Sequence, residues 1–321
     1  MRRRDFLWAF AAATVTPLGA RAEPARPTIG YLFPGTSPFQ AGAAFRAGLG
    51  ELGFVDGKSV KIVYRFAEGQ YERLPALAAE LVAHRVDVIV AIAGSGVQAV
   101  RAANPTIPIV FVTGEDPALF GITSLNRPEG NVTGATFLGA LSTTKELQLL
   151  HELAPMASTI GFLINPDMQN AAGETSEARA SARALAVKLE IATARSDSEL
   201  EPGFANLTKA QAGALLVDSD ILFYSRRNRI VALAARYAIP ALYSNREFVK
   251  AGGLASYGGS SDEALLQAGR YVGRILKGEK PADLPILQST KFEFVINLKT
   301  AKAMGVEIPP MLLARADEVI E

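Results

Sequence analysis

Two hydrophobic rhythms take turns along this chain. Thr28–Phe33, residues 60–66 and 86–93, and Ile109–Thr113 are short runs rich in β-branched and aromatic residues, the composition and length of strands. Residues 60–66 alternate apolar with polar, as a half-covered strand does. Residues 86–93 are apolar throughout, as a strand buried on both faces must be. Between these runs the period lengthens. Residues 40–52 and 73–84 carry apolar side chains every three or four positions. In the second segment Leu74, Leu77, Ala78, Leu81 and Val82 share one helical face. Residues 97–103 predict a short helix. The pattern then restarts, with strands at Thr159–Ile164, residues 190–193, Ala214–Val217, Ala241–Tyr243 and residues 254–257. Helices are expected over 171–189, 198–209 and 221–238. Strand–loop–helix units in two blocks predict an α/β protein of two doubly wound parallel-sheet lobes, joined by a hinge at residues 134–142. In the tail, residues 262–276 form an amphipathic helix, 277–285 a basic loop and Phe292–Asn297 an alternating strand, and 301–304 and 312–316 read as short helical turns. A tail that follows two complete blocks is expected to return to the first lobe. That assigns 28–138 plus 262–297 to lobe 1, and 139–261 plus 298–321 to lobe 2.

The start of the chain changes the picture. Arg2, Arg3 and Arg4 precede an apolar run broken at Pro17, and Ala20-Arg21-Ala22 supplies a small-x-small end. This is the form of a cleavable export signal over residues 1–22, cut near Ala22, and Arg3-Arg4-x-Phe6-Leu7 fits the twin-arginine pattern. The run is too short for a membrane anchor, which needs about 20 apolar residues. The leader holds four of the 33 basic residues and one of the 32 acidic ones. The remainder is therefore slightly acidic, and nucleic acid is excluded as a partner for want of a basic surplus. The chain has no cysteine, which removes disulfides, thiolate metal sites and cysteine nucleophiles together. His84 and His151 are its two histidines. They lie far apart, without metal-ligand spacing, so no metal and no catalytic triad is expected.

In open parallel sheets, ligands sit beyond the carboxyl ends of the strands, where loops and helix N-termini present free N–H groups. The segments there are small and polar: Pro34-Gly35-Thr36-Ser37, Gly94-Ser95-Gly96, Thr113-Gly114-Glu115-Asp116, Asn165-Pro166-Asp167, Asp218-Ser219-Asp220 and Tyr243-Ser244-Asn245. Turns collect such residues in any case, but their recurrence after nearly every strand of both blocks points to one shared cleft. Phe33, Tyr243 and Tyr257 close strands and are candidate cleft walls. Gly94-Ser95-Gly96-Val97-Gln98-Ala99 has the G-x-G-x-x-A spacing of a dinucleotide-binding turn, with acids about 20 residues on. It keeps open an alternative, an exported nicotinamide-dependent oxidoreductase. Against that, the motif follows the third strand of its block rather than the first. A regulator of the same two-lobed build would need a DNA-binding segment before Thr28, where the leader stands.

Long motifs in the C-terminal half carry a resemblance. Arg246-Glu247-Phe248-Val249-Lys250-Ala251-Gly252-Gly253 with Leu254-Ala255-Ser256-Tyr257-Gly258 is one. Ala268-Gly269-Arg270-Tyr271-Val272-Gly273-Arg274 is another, and Lys291-Phe292-Glu293-Phe294-Val295-Ile296-Asn297 with Ile308-Pro309 a third. With Asp116-Pro117 and Gly130-Asn131-Val132-Thr133-Gly134, they resemble substrate-binding proteins of ABC transporters of the tryptophan/tyrosine-uptake type. The resemblance implies a type I periplasmic-binding fold, a periplasmic location, no catalysis and no cofactor. It also implies a monomer that captures a small solute, an amino acid among the candidates, and works with permease and ATPase subunits in the inner membrane. On that reading Asp116 pairs with a ligand ammonium. Ser95, Thr113 and the N–H groups after Gly35 and Gly94 hold a carboxylate, with Thr36 beside them. Asn165, Asp218, Tyr243 and Ser244 close from the second lobe. The loop departs from the family pattern at Ala118, where Val usually follows the Asp-Pro, and Glu115 is an extra acid that favours an amino-bearing ligand when it faces the cleft.

Overall fold

The computed structural model describes residues 26–36, 42–103, 106–128, 130–137, 143–288 and 292–321. The expected leader lies outside the described residues, as does the 138–142 part of the expected hinge. The described chain forms two sheets. The first holds β1 (Thr28–Phe33), β2 (Lys61–Phe66), β3 (Val88–Ile92), β4 (Ile109–Thr113), β5 (Val132–Thr136) and the short β11 (Leu287–Gln288), in the order β11-β5-β4-β3-β1-β2, all parallel. The second holds β6 (Thr159–Ile164), β7 (Lys188–Thr193), β8 (Ala214–Val217), β9 (Ala241–Tyr243), β10 (Ala255–Gly259), β12 (Phe292–Asn297) and β13 (Glu318–Ile320), in the order β13-β12-β10-β9-β8-β6-β7. Its pairs are parallel except β10 with β12. Helices cover both faces of each sheet, so β3, β4 and β8 are fully buried, as doubly wound strands must be.

Register aligns the strand ends. Phe33 lies opposite Phe66, Thr113 opposite Thr136, and Val217 opposite Tyr243. The residues that follow them emerge along one edge of each sheet. The chain crosses between the sheets three times: after β5, after β10 and after β11. The second crossing leads into the helix Ser261–Leu276, which lies against the helix Ala43–Glu51 of the first sheet. The two backbones meet at Gly48 and Gly269. A Cβ on Gly48 would collide with the Leu266 carbonyl, and one on Gly269 with the Phe45 carbonyl, so only glycine permits this approach. Thr133 Oγ1 then donates to the Leu284 carbonyl at 2.7 Å and Tyr271 Oη to the Pro285 carbonyl at 2.5 Å, guiding the chain to β11.

The third crossing corrects the domain assignment. Residues 262–297 were expected in lobe 1, but β12 pairs with β10 and β13 in the second sheet. Phe294 and Ile296, alternating inward, pack with Phe162, Leu216 and Leu242 in the second core. The passage therefore falls between Gln288 and Phe292. Three helix boundaries also differ from expectation. The helix expected over 97–103 begins at Ala93. The one expected over 171–189 ends at Ala184, and Lys188 already belongs to β7. The segment 221–238 is two helices, Ile221–Ser225 and Arg227–Arg236, broken at Arg226. Among the described residues no helix is long and apolar enough to cross a membrane.

Candidate functional site

The facing strand ends of the two sheets enclose a cavity of about 130 Å³. From the first lobe Phe33, Ile92, Val112 and Phe137 form an apolar wall. From the second, Met168 and Phe248 continue it, and Leu265 of the returning helix completes it. Tyr243, expected at the cleft, does not reach it. Its ring is 1% exposed and stacks on Phe248 at 4.7 Å, so it backs the wall instead of forming it.

The charged part of the lining is acidic. Glu115 follows β4 and faces the cavity. Its carboxyl group accepts a hydrogen bond from the Gly94 N–H at the start of the helix Ala93–Ala103, leaving Oε2 buried without a partner. Ala93 takes a left-handed φ of 60° to turn β3 directly into that helix, a strain typical of ligand sites. Gly94 has no room for a side chain, because a Cβ would strike Glu115 Oε2 and the Phe120 ring. Burial pushes the Glu115 carboxyl up to about 7; the Gly94 N–H opposes this, and the charges of Asp220 and Asp218 add to it.

Opposite stands Asp220, buried at the N-terminus of the helix Ile221–Ser225. Its Oδ1 accepts from the Leu222 N–H at 2.9 Å and from Asn165 Nδ2 at 3.3 Å. Its Oδ2 accepts from Tyr71 Oη at 2.6 Å. Tyr71 belongs to the first lobe, so this bond joins the lobes. Burial raises the Asp220 pKa, while Tyr71, Asn165 and the helix N–H groups oppose the rise. Next to Asp220, Asp218 accepts from the Ser219 N–H at 2.7 Å, and its Oδ2 meets no N–H group. It touches Glu174, which projects from the first turn of the helix Ala171–Ala184 and lines the cavity. Burial raises both carboxyl groups above the usual range, and Asp218 drives Glu174 furthest up. Two acids this close cannot both ionise cheaply, so the pair holds one proton.

The structure thus brings together Phe33, Thr113 and Ser244 of the expected residues, all at the cavity. Asn165 and Asp218 stand directly behind it. Thr113 uses Oγ1 to accept from the Glu115 N–H at 3.0 Å and so shapes that turn. Other expected residues lie elsewhere. Asp116 is exposed and caps the 3-10 helix Pro117–Phe120, accepting from the Ala118 N–H at 2.9 Å; Glu115 takes the place intended for it. Tyr257 stacks on Phe292 at 5.5 Å in the second core. Gly94 is sealed under Glu115, and Ser95 lies within the helix instead of in a loop. Gly35 backs onto the Phe33 ring and Ser225, and neither it nor Thr36 is among the lining residues. The dinucleotide reading of Gly94-Ser95-Gly96 fails on the same grounds. Those residues are helical, and the helix N-terminus that would cradle a phosphate already holds a carboxylate. Sequence reasoning missed Glu174, Met168, Phe137 and Tyr71. Glu174 carried a signal, an acid in the first turn of an Ala-rich helix, but such acids ordinarily serve the helix dipole. No group of acids and histidines among the described residues has the arrangement of a metal site.

Residues 35–320 match the family described as ABC transporter substrate binding protein. A tyrosine-binding protein of Clostridioides difficile (strain R20291) is 27% identical over 269 residues, 84% of this chain and 77% of that protein. Among solved structures, the ABC domain from Streptococcus pneumonia in complex with L-Trp is 27% identical. It aligns with a TM-score of 0.81 over 92% of this chain and 100% of that one. The ligand-free, open structure of a substrate-binding protein with adhesive properties from Clostridium difficile is 25% identical. Its TM-score is 0.62 over 92% of this chain and 99% of that one. With the match running through both lobes and the cleft between them, the chain belongs to the ABC transporter substrate-binding proteins.

Proposed function

We propose that this chain is the exported solute receptor of an ABC importer. It captures a small organic solute of the amino-acid class between its lobes by hinge closure and hands it, unchanged, to permease and ATPase subunits in the inner membrane. The observation that carries this is the interlobe cavity, with an aromatic and aliphatic wall on one side and carboxyl groups on the other. Such a cavity suits an apolar body bearing a protonated amine. Two neighbours support closure. At nearly equal identity and coverage, this chain superposes far better on the L-Trp complex than on a ligand-free, open relative, with TM-scores of 0.81 and 0.62. The lobes therefore stand in an arrangement near the liganded one. A ligand shifts that equilibrium only by binding the closed form more tightly than the open one.

The test is a thermal-denaturation screen of the exported form against the twenty amino acids, starting with L-tryptophan and L-tyrosine. A ligand at 100 times its Kd adds about 2.7 kcal/mol of stability, a shift of a few degrees in a chain of this size. A midpoint that none of the twenty moves refutes the amino-acid class of the ligand.

A further inference from the structure

Among the described residues lining the cavity, four are acids (Glu115, Glu174, Asp220 and Asp262) and none is a base. Residues 37–41 and 138–142, outside the described residues, contain no charged residue in the sequence. An adjoining polar pocket shares Ser261 and Asp262 with the cavity and contains Arg246. That guanidinium is bonded through its two terminal nitrogens to Glu293 at 3.0 Å and to Glu318, so two acids offset its single charge, while its Nε is buried without a partner. Within the cavity a ligand carboxylate would thus meet serine hydroxyls, the Asn245 amide and backbone N–H groups, and beside it an Arg246 whose charge is already paired with two acids.

The acids are not all equivalent. Asp220 is saturated by Tyr71, Asn165 and the Leu222 N–H. Glu174 is 4% exposed, lines the cavity and has another acid, Asp218, as its hydrogen-bond neighbour. Asp218 is 6% exposed, its donors are the Ser219 N–H and the proton it shares with Glu174, and the pair is left with a net negative charge facing the cavity through Glu174. A buried negative charge with so few donors is costly unless a cation meets it. Glu146, on the helix Thr143–Leu153, and Glu115 bear on Glu174 as further negative neighbours. Every charged group facing this pair is thus an acid. The residues lack the arrangement of a metal site, and the surrounding wall is hydrocarbon.

We infer that the Glu174–Asp218 pair seats the cationic nitrogen of an amine carried on an aromatic or aliphatic body, and that the cleft recognises this amine without needing a ligand carboxylate. The inference rests on the solute-receptor reading above and narrows its ligand class, from zwitterionic amino acids towards the amines that correspond to them.

Matched probes test it by isothermal titration calorimetry at pH 7.5. L-tryptophan has both charged groups, tryptamine keeps the amine alone, and indole-3-propionate keeps the carboxylate alone. L-tyrosine, tyramine and 4-hydroxyphenylpropionate form a second set. The expected result is that an amine binds at least as tightly as its amino acid while the acid does not bind. Asp218→Asn, which keeps the acceptor for the Ser219 N–H, should weaken the amine at least tenfold without lowering the melting temperature. Asp116→Asn, away from the cavity, should leave affinity unchanged. An amino acid that binds while its amine does not overturns the inference and leaves the receptor function standing. So does amine binding that Asp218→Asn leaves untouched. Silence from all six probes, with a flat amino-acid screen, removes the inference and the amino-acid class of the ligand together.

Discussion

Glu115 and Asp116 are neighbours in sequence with opposite fates. Glu115 turns into the cleft and is buried against Gly94, while Asp116 turns outward and caps four residues of 3-10 helix. The loop Thr113-Gly114-Glu115-Asp116 therefore announced an acid at the cleft without saying which one. Spacing after a strand end fixes the loop but not the direction of each side chain within it. Asp116-Pro117 is itself a capping signal, an acid before a proline that opens a helical turn, and it would have settled the choice. The burial of Glu115 has a pH signature. Its carboxyl is raised from 4.5 to about 7 in the folded chain, so the native state binds the proton more tightly than the unfolded state. Stability from this group is highest below about pH 4.5 and is lost as pH rises through 7. At about 1.4 kcal/mol per pH unit the loss is up to about 3 kcal/mol. Glu174 and Asp218, also raised, act in the same direction. The ligand-free protein should melt higher at pH 5.5 than at pH 8. Glu115→Gln should raise the pH 8 midpoint and flatten part of that slope. A variant whose melting curve keeps the full wild-type pH dependence would show that Glu115 is not the buried acid described here.

The alternation of short β-branched runs with amphipathic stretches was enough to read two doubly wound sheets, because strands covered on both faces advertise themselves as unbroken apolar runs such as Val88–Ile92. What escaped were elements whose residues belong equally to loops. Ala93-Gly94-Ser95-Gly96 reads as a glycine-rich turn by composition, yet it is the first turn of a helix. There Glu115 fills the space that a side chain on Gly94 would need. Long-range choice escaped too: no local pattern could send β12 to the second sheet while the helix before it packs on the first. That split depends on the helix Ser261–Leu276 seating against Ala43–Glu51 through Gly48 and Gly269. Gly48→Ala places a methyl group against the Leu266 carbonyl and forces the helices apart. The expected cost is about 2–3 kcal/mol, the overpacking range, although alanine is the better helix former. Urea denaturation should show a lower midpoint with unchanged slope. A variant as stable as wild type would mean that the helices do not meet at this distance.

Among the described residues few polar contacts join the lobes across the cleft, which makes each one consequential for closure. Tyr71, from the segment after β2, donates at 2.6 Å to Oδ2 of the buried Asp220, in a part-buried setting. Gln169 Nε2 donates to the Leu119 carbonyl at 3.2 Å, but in an exposed one. The Tyr71 bond dominates, because a charge-assisted hydrogen bond largely out of water is worth more than an exposed neutral one. Opening the cleft separates its partners, so it contributes to the closed form alone. On the proposed hinge closure, Tyr71→Phe keeps the ring and leaves Asp220 Oδ2 without its donor in the closed form only. The closed state should lose about 1–2 kcal/mol. Since apparent affinity scales with the fraction of binding-competent protein, ligand binding should weaken about 5- to 30-fold. The radius of gyration of the ligand-free variant in small-angle scattering should exceed that of wild type, and saturating ligand should bring the two together again. Global stability should fall less than affinity, because Tyr71→Phe keeps the ring that packs against the first-lobe core. If Tyr71→Phe binds as wild type does and scatters identically, the lobes are held by packing alone and the tyrosine is not a latch.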